Sequence, residues 1–180
     1  MREQTSAFRF EEVALPHLRG AYNLARWLVR NDQDAEDVVQ EAYLRAFKFF
    51  DGYRGGESRT WLLTIVRNTC YSWLQRNRAR ELMDSIDESH EDAIVDFANP
   101  ELRLVRDADA QMVREALAEL PLEFREVMVM REMEELSYKE ISVIADLPID
   151  TVMSRLARGR KRLYSLLAIR MGIETTGGAA

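Results

Sequence analysis

The chain has 180 residues, 47 % of them apolar and 31 % charged, which is enough apolar content for packed cores and too much for a disordered chain. Eight glycines and four prolines are too few for a turn-rich β fold. One cysteine, Cys70, excludes an internal disulfide and a thiolate metal cage, and two histidines, His17 and His90, supply a zinc site poorly. The net charge of −6 argues against a generic nucleic-acid coat. No apolar run reaches the roughly 18 residues of a membrane span, and the polar N-terminus lacks a signal-peptide core. These features predict a soluble, cytoplasmic, mostly helical protein with no metal and no cofactor.

In chain order, Val13, Leu18, Ala21, Leu24 and Leu28 keep helical spacing, and Pro16 is expected to break that segment near its start. Asn31 and Asp32 end it and can cap the next helix. That helix carries Ala35, Val38, Val39, Ala42, Tyr43, Ala46 and Phe47, with an acidic first turn and a basic last turn that suit its dipole. Residues 51–57, DGYRGGE, read as a loop. Ser58 can cap a third helix whose apolar side holds Trp61, Leu62, Ile65, Val66, Thr69, Cys70, Trp73 and Leu74. The three helices would make one small bundle, with Cys70 packed inside as a small hydrophobe.

Charge marks the middle of the chain. Residues 1–80 hold thirteen Lys/Arg and ten Asp/Glu; residues 81–110 hold two Arg and ten Asp/Glu; residues 111–180 hold ten Lys/Arg and eleven Asp/Glu. An acidic stretch between two more balanced halves reads as a linker. A fourth helix is expected from Leu102, Val105, Met112, Val113, Ala116, Leu117 and Leu120. A fifth opens with Pro121 in its first turn and carries Phe124, Val127, Met128 and Met130. Ser137-x-x-Glu140 is a capping-box pattern before Ile141, Ile144 and Ala145. A turn at Leu147–Asp150 precedes a last helix striped by Val152, Leu156, Leu163, Leu166 and Leu167.

Residues 137–165 therefore have the layout of a helix-turn-helix, whose second helix would present Thr151, Ser154, Arg155, Arg158 and Arg162 on the side away from its apolar stripe. Arginine can read guanine in bidentate fashion, and the capped N-terminus near Ser137, Tyr138 and Lys139 could hold a backbone phosphate. The alternative is an ordinary amphipathic helix with solvated arginines. A second constellation is aromatic: eight of the sixteen Phe, Tyr and Trp residues fall within 43–73, interleaved with basic residues. Such a cluster could stack unpaired bases. Core packing is the competing reading, assigned here to Phe47, Trp61 and Trp73, while Tyr53 in the glycine-flanked loop is the better contact. A third is DAEDVVQEAYLRAF, residues 34–47, which places Asp37, Gln40, Glu41 and Leu44 on overlapping helix faces. It reads as a surface helix, or as a docking face for a partner helix.

The segment DAEDVVQEAYLRAF, followed by a loop and RTWLLTIVRNTCYSWLQRNRAR, resembles region 2 of bacterial sigma factors. The segment ALAELPLEFREVMVMREMEELSYKEISVIADLPIDTVMSRLARGRKRL resembles their region 4. The short length points to the extracytoplasmic-function group. The resemblance implies an all-α protein of two small helical domains: region 2 as a three-helix-type bundle over residues 1–80, and region 4 with its helix-turn-helix over 108–170. An acidic linker over 81–107 would join them, and a tail over 171–180 would follow, whose GGAA end is expected to be unordered as chain ends commonly are. It implies a transcription initiation factor, not an enzyme, whose partners are the β and β′ subunits of core RNA polymerase, promoter DNA and an anti-sigma protein. Asp37, Gln40, Glu41, Leu44 and Arg45 would dock on the β′ clamp helices. Tyr53, Arg54, Arg59, Trp61, Arg67, Asn68 and Arg76 would open and read the minus-ten element, and the last helix would read the minus-thirty-five element. Asp150, Met153 and Ser72 depart from the usual pattern; Asp150 is expected near phosphates or as a helix cap.

Two other functions remain open from the residues. A stand-alone helix-turn-helix regulator would use 137–165 and leave 34–80 idle. A sigma mimic that titrates an inhibitor would have no use for Arg155, Arg158 and Arg162. An enzyme has least support, since the carboxylate pairs Glu11/Glu12 and Asp34/Asp37 come with no nucleophile, metal-ligand or phosphate-loop motif. A compact form in which the two halves cover each other is also open.

Overall fold

The computed structural model describes residues 2–84 and 107–173. The acidic linker beyond Asp84, His90, Leu102, Val105 and the end of the tail lie outside the described residues. Within them are eight α-helices: α1 (Arg2–Ala14), α2 (Leu18–Val29), α3 (Asp32–Phe49), α4 (Ser58–Asp84), α5 (Asp107–Ala118), α6 (Leu122–Met128), α7 (Tyr138–Ala145) and α8 (Ile149–Arg170). A π-helical turn, Val129–Met133, continues α6. None of the helices is long and apolar enough to cross a membrane.

The N-terminal bundle has four helices, not three. Pro16 sits in a 3-10 turn, Leu15–His17, that separates α1 from α2, because its ring excludes an uninterrupted helix. The hydroxyl of Tyr43 donates to the carbonyl of Ala14 at 2.9 Å and ties the end of α1 to α3. Burial pushes that phenol up to about 12. Asn31 caps α3 as expected, its side chain accepting from the N–H of Asp34 at 3.0 Å. Ala21, Ala25, Ala35, Ala42 and Ala46 are all fully buried. Small side chains there let α2, α3 and α4 approach closely around Leu24, Leu28, Val38, Leu62, Leu63 and Val66. Cys70 is buried among them, and burial raises its thiol to about 12, so it packs as a hydrophobe.

Three local expectations are corrected. Ser58 is the first residue of α4, not its cap; the Trp61 N–H already bonds to the carbonyl of Glu57, and the Ser58 hydroxyl pairs with Nε2 of His17 at 2.9 Å. Burial, reinforced by the charge of Arg59, lowers the His17 pKa. Phe47 is not core: it is 47 % exposed, with one edge-to-face contact to Phe10 at 5.3 Å. Pro121 stands at the N-cap of α6, one residue before the first turn.

The C-terminal half buries Phe124, Val127, Met128 and Met130 as the spacing predicts, together with Ile141, Ile144, Val152 and Leu156. Gly159 lets α8 close on α6, where an added Cβ would lie 3.0 Å from Met128 Cγ. Arg125 is buried and donates from Nη1 to the carbonyls of Ala118 and Leu120 at 3.0 and 2.9 Å, satisfying the end of α5. Burial, and then the nearby charge of Arg30, lowers it to about 10.

The capping box of α7 forms in full. Glu140 N–H donates to Ser137 Oγ at 3.1 Å, and Ser137 N–H donates to the Glu140 carboxylate at 2.7 Å, which holds that carboxyl below its usual range. Asp146 closes α7 in the left-handed conformation at φ 53°. Pro148 precedes α8. Asp150 lies exposed in the first turn of α8, where its charge suits the dipole, and Pro148 takes the cap position without a side-chain bond. Ser137→Ala is expected to lower stability by about 1 kcal/mol, read as the shift in the urea midpoint at unchanged slope. An unchanged midpoint would contradict the cap's contribution.

Candidate functional site

The mixed face of α3 is exposed. Asp37 and Gln40 are open to solvent, Leu44 is 66 % exposed, Phe47 one turn on is half-exposed, and Phe49 at the end of the helix is exposed on another side. Glu41 is partly buried because it pairs with Arg45 one turn on and with Arg76 of α4 at 3.2 Å. The helix buries Ala35, Val38, Val39, Ala42 and Ala46 on its other side. Leu44 thus lies outside the apolar stripe that the fold consumes, one helical turn from the half-exposed Phe47.

The loop after α3 is built on aromatic packing. Tyr53 stacks on Phe50 with ring centroids 5.8 Å apart and meets Trp61 at 4.8 Å, while its hydroxyl donates to the carbonyl of Gly56 at 2.9 Å. Gly55 and Gly56, at φ 89° and 97°, supply a backbone that other residues adopt only under strain. Both Tyr53 and Trp61 are half-buried, so each ring keeps an accessible part. Arg54, Asn68 and Arg76 are exposed. Arg59 and Arg67 are not free; both are held by carboxylates of the C-terminal half.

In the helix-turn-helix, Lys139, Ser154, Arg158 and Arg162 are exposed and Thr151 is half-buried. Arg162 lies over the Phe124 ring at 5.3 Å, and Arg131 over the Tyr138 ring at 5.0 Å. Arg158, Lys161 and Arg162 line a groove with Pro121, Phe124 and Ser165. Arg155 departs from the expected pattern. Its side chain turns inward from α8, with Nη1 3.5 Å from Glu126 Oε1 and Nη2 3.9 Å from Glu123.

The two halves cover each other, an arrangement the sequence left open without naming the residues that make the joint. The C-terminal half packs on α2 and α4: α6 and the π-helical turn against α2, and α7 against α4. The apolar cores of the two halves run together as one cluster. Two carboxylates sit in the joint. Glu126, fully buried, accepts from Arg67 Nε at 3.0 Å and Nη2 at 3.3 Å, and it faces Arg155 from the other side. Glu134 accepts from Arg59 Nη2 at 2.9 Å and from Asn23 Nδ2 at 2.6 Å. The same Arg59 nitrogen also donates to the Glu134 carbonyl at 2.8 Å. Gly20 makes room: a Cβ there would lie 2.9 Å from the Glu134 carboxylate.

Burial pulls the Arg67 guanidinium down, but its hydrogen bond and charge contact with Glu126 outweigh this and leave it raised. Arg67 also stacks over Tyr71 at 3.8 Å, and burial, with the Glu126 charge, pushes that phenol to about 12. The one signal within the sequence was an acid at position 126 inside the apolar run Phe124–Met130. Its partner lies 59 residues away on another helix, beyond any local pattern.

Residues 14–80 match the family model of sigma-70 region 2, and residues 110–163 match that of sigma-70 region 4. The chain is similar to the ECF RNA polymerase sigma factor SigE of Mycolicibacterium smegmatis, 34 % identical over 170 residues that make up 92 % of this chain and 64 % of that one. It is also similar to the ECF RNA polymerase sigma-E factor of Escherichia coli K12, 34 % identical over 137 residues, 72 % of each chain. Among solved structures it resembles the sigma factor RpoE in complex with the anti-sigma factor NepR from Bartonella quintana. The TM-score is 0.74 at 31 % identity, covering 89 % of this chain and 98 % of that one.

Proposed function

The chain belongs to the extracytoplasmic-function sigma factors of RNA polymerase, and from that premise we propose how its surfaces divide the work of promoter-specific initiation. The observation that carries the proposal is the coexistence on one chain of an exposed mixed face on α3 and an exposed basic face on α8. A duplex-binding regulator would have no use for the first, and a mimic no use for the second.

Asp37, Gln40, Glu41, Leu44 and Arg45 dock on core polymerase: Leu44 supplies the apolar anchor, and the polar groups set register around it. Tyr53 and Trp61 offer ring faces to unpaired bases of the minus-ten strand, with Arg54 and Asn68 nearby and Arg76 farther along α4 for phosphates and base edges; Arg59 and Arg67 join once their carboxylates release them. The α8 helix enters the major groove of the minus-thirty-five element with Thr151, Ser154, Arg158 and Arg162, while Arg155 becomes available when Glu126 and Glu123 let it go. Ser137, Tyr138 and Lys139 at the start of α7 meet the backbone. Nucleotide addition belongs to the polymerase, and this chain supplies recognition. An anti-sigma protein is the proposed inhibitor, a partner of the kind that accompanies the Bartonella relative.

Run-off transcription on fragmented genomic DNA tests this, with purified core polymerase and the chain added or omitted. Discrete transcripts that depend on the chain are expected, with shared sequence upstream of their starts. Absence of such transcripts, together with no co-elution with core, would overturn the assignment.

A further inference from the structure

Resting on the sigma-factor reading, we propose that α8 reads thymine as well as guanine: Met153, with Ala157 one turn on, seats the 5-methyl groups of thymines in the minus-thirty-five element. The helix packs on α5, α6 and α7, and its buried residues include Val152, Leu156 and Gly159. The opposite face runs through Met153, Ser154, Ala157, Arg158 and Lys161, all exposed. Met153 keeps 49 % of its surface open. Spacings of three and four residues place these side chains on one continuous face and divide it lengthwise. Ser154 and Arg158 stand on one flank, Met153 and Ala157 on the other.

The polar flank alone reads little. The Ser154 hydroxyl donates to the carbonyl of Thr151 at 3.1 Å, so it has only acceptor lone pairs left for a base. Arg158 makes no ion pair among the described residues and can fork onto a guanine, while Lys161 is a point charge suited to phosphate. The apolar flank has no part in the fold, since neither Met153 nor Ala157 belongs to the buried core. In a major groove the complement of such a flank is the thymine 5-methyl, the one methyl group that unmodified base edges present there. An unbranched, polarizable methionine can adapt to it. The cations at Arg158 and Lys161 select duplex DNA as the occupant of this face, where an apolar protein helix would leave them unanswered. The departure of Met153 from the usual pattern is thus a change of specificity and not a lost contact.

The test uses holoenzyme assembled from core polymerase and the full chain, on promoter fragments recovered by run-off transcription. Each thymine of the shared upstream sequence is replaced in turn by deoxyuridine, which pairs alike and lacks only the 5-methyl group. At one or two positions, holoenzyme affinity is expected to fall by about fourfold, the worth of one buried methyl. Met153→Ala should weaken binding to the unmodified fragment by a similar factor and be indifferent to deoxyuridine at the same position. Arg158→Ala should keep the full deoxyuridine penalty, because the two flanks read different base pairs. Both side chains are exposed, and circular dichroism confirms that the variants fold.

A shared upstream sequence without thymine, or deoxyuridine tolerated at every position, would overturn the proposal. So would a penalty that persists undiminished in Met153→Ala, since it would then arise from DNA shape and not from this side chain. Each of these results leaves the sigma-factor reading standing, because the transcripts that define the fragments depend on the chain. If no transcript depends on it, that reading fails, and the thymine contact with it.

Discussion

Gln40→Ala together with Leu44→Ala is expected to lower affinity for core polymerase by about 30- to 1,600-fold, with promoter-dependent transcription falling in step. Leu44 is 66 % exposed in the free chain, so about two thirds of its surface is left to be buried on docking. Burying a leucine side chain is worth about 1.5–3 kcal/mol. A hydrogen bond from an exposed glutamine such as Gln40 adds about 0.5–1.5 kcal/mol. The sum of about 2–4.5 kcal/mol corresponds to that range at 1.4 kcal/mol per tenfold. Both side chains face solvent, so unfolding free energy should move by less than about 0.5 kcal/mol, which separates lost docking from lost folding. Fluorescence anisotropy of labelled chain titrated with core is the measurement, and an affinity within threefold of wild type would remove α3 from the docking face.

Arg158→Ala is expected to reduce transcription from promoters that carry the upstream element by about 5- to 150-fold at subsaturating holoenzyme, the equivalent of the roughly 1–3 kcal/mol that a good bidentate arginine–guanine pair contributes. Arg158 is the sharpest test on α8. It is exposed and makes no ion pair among the described residues, whereas Arg155 is turned toward Glu126 and Arg160 is paired with Glu132 at 2.8 Å. Run-off titrations on a cognate promoter, and on the same fragment with the upstream element scrambled, decide it. Loss on the first and none on the second is expected. Equal loss on both, or loss of core binding, would deny α8 its role in reading that element.

Much of this protein was legible in its sequence because the responsible interactions are short-ranged. The Asn31 cap, the break at Pro16, the Ser137–Glu140 box and the buried stripes of α6 and α7 each involve residues within about one helical turn, where spacing alone predicts contact. The family resemblance rested on two long motifs in order, and the comparisons bear it out. Local spacing failed where a residue's surroundings come from elsewhere in the chain. Phe47 lies at a helical interval from buried residues, yet it stays 47 % exposed against the edge of Phe10. The N-terminal dozen residues looked merely polar, and their helix becomes visible as an element once Phe10 and Ala14 are seen buried against α3 and α4.

The sequence by itself determined most of the helices, the caps at Asn31 and Ser137 and the two family motifs, because backbone hydrogen bonding and apolar periodicity are set within a few residues. Only the tertiary structure decided which of the many arginines are available. Arg59, Arg67 and Arg155 look like Arg54, Arg158 and Arg162 in the sequence, but they differ in the folded chain because Glu134 and Glu126 reach Arg59 and Arg67 across the joint between the halves, and Glu126 also faces Arg155 within the C-terminal half. Ion pairing depends on distance in space, and neither composition nor spacing encodes the approach of residues some sixty to seventy-five positions apart.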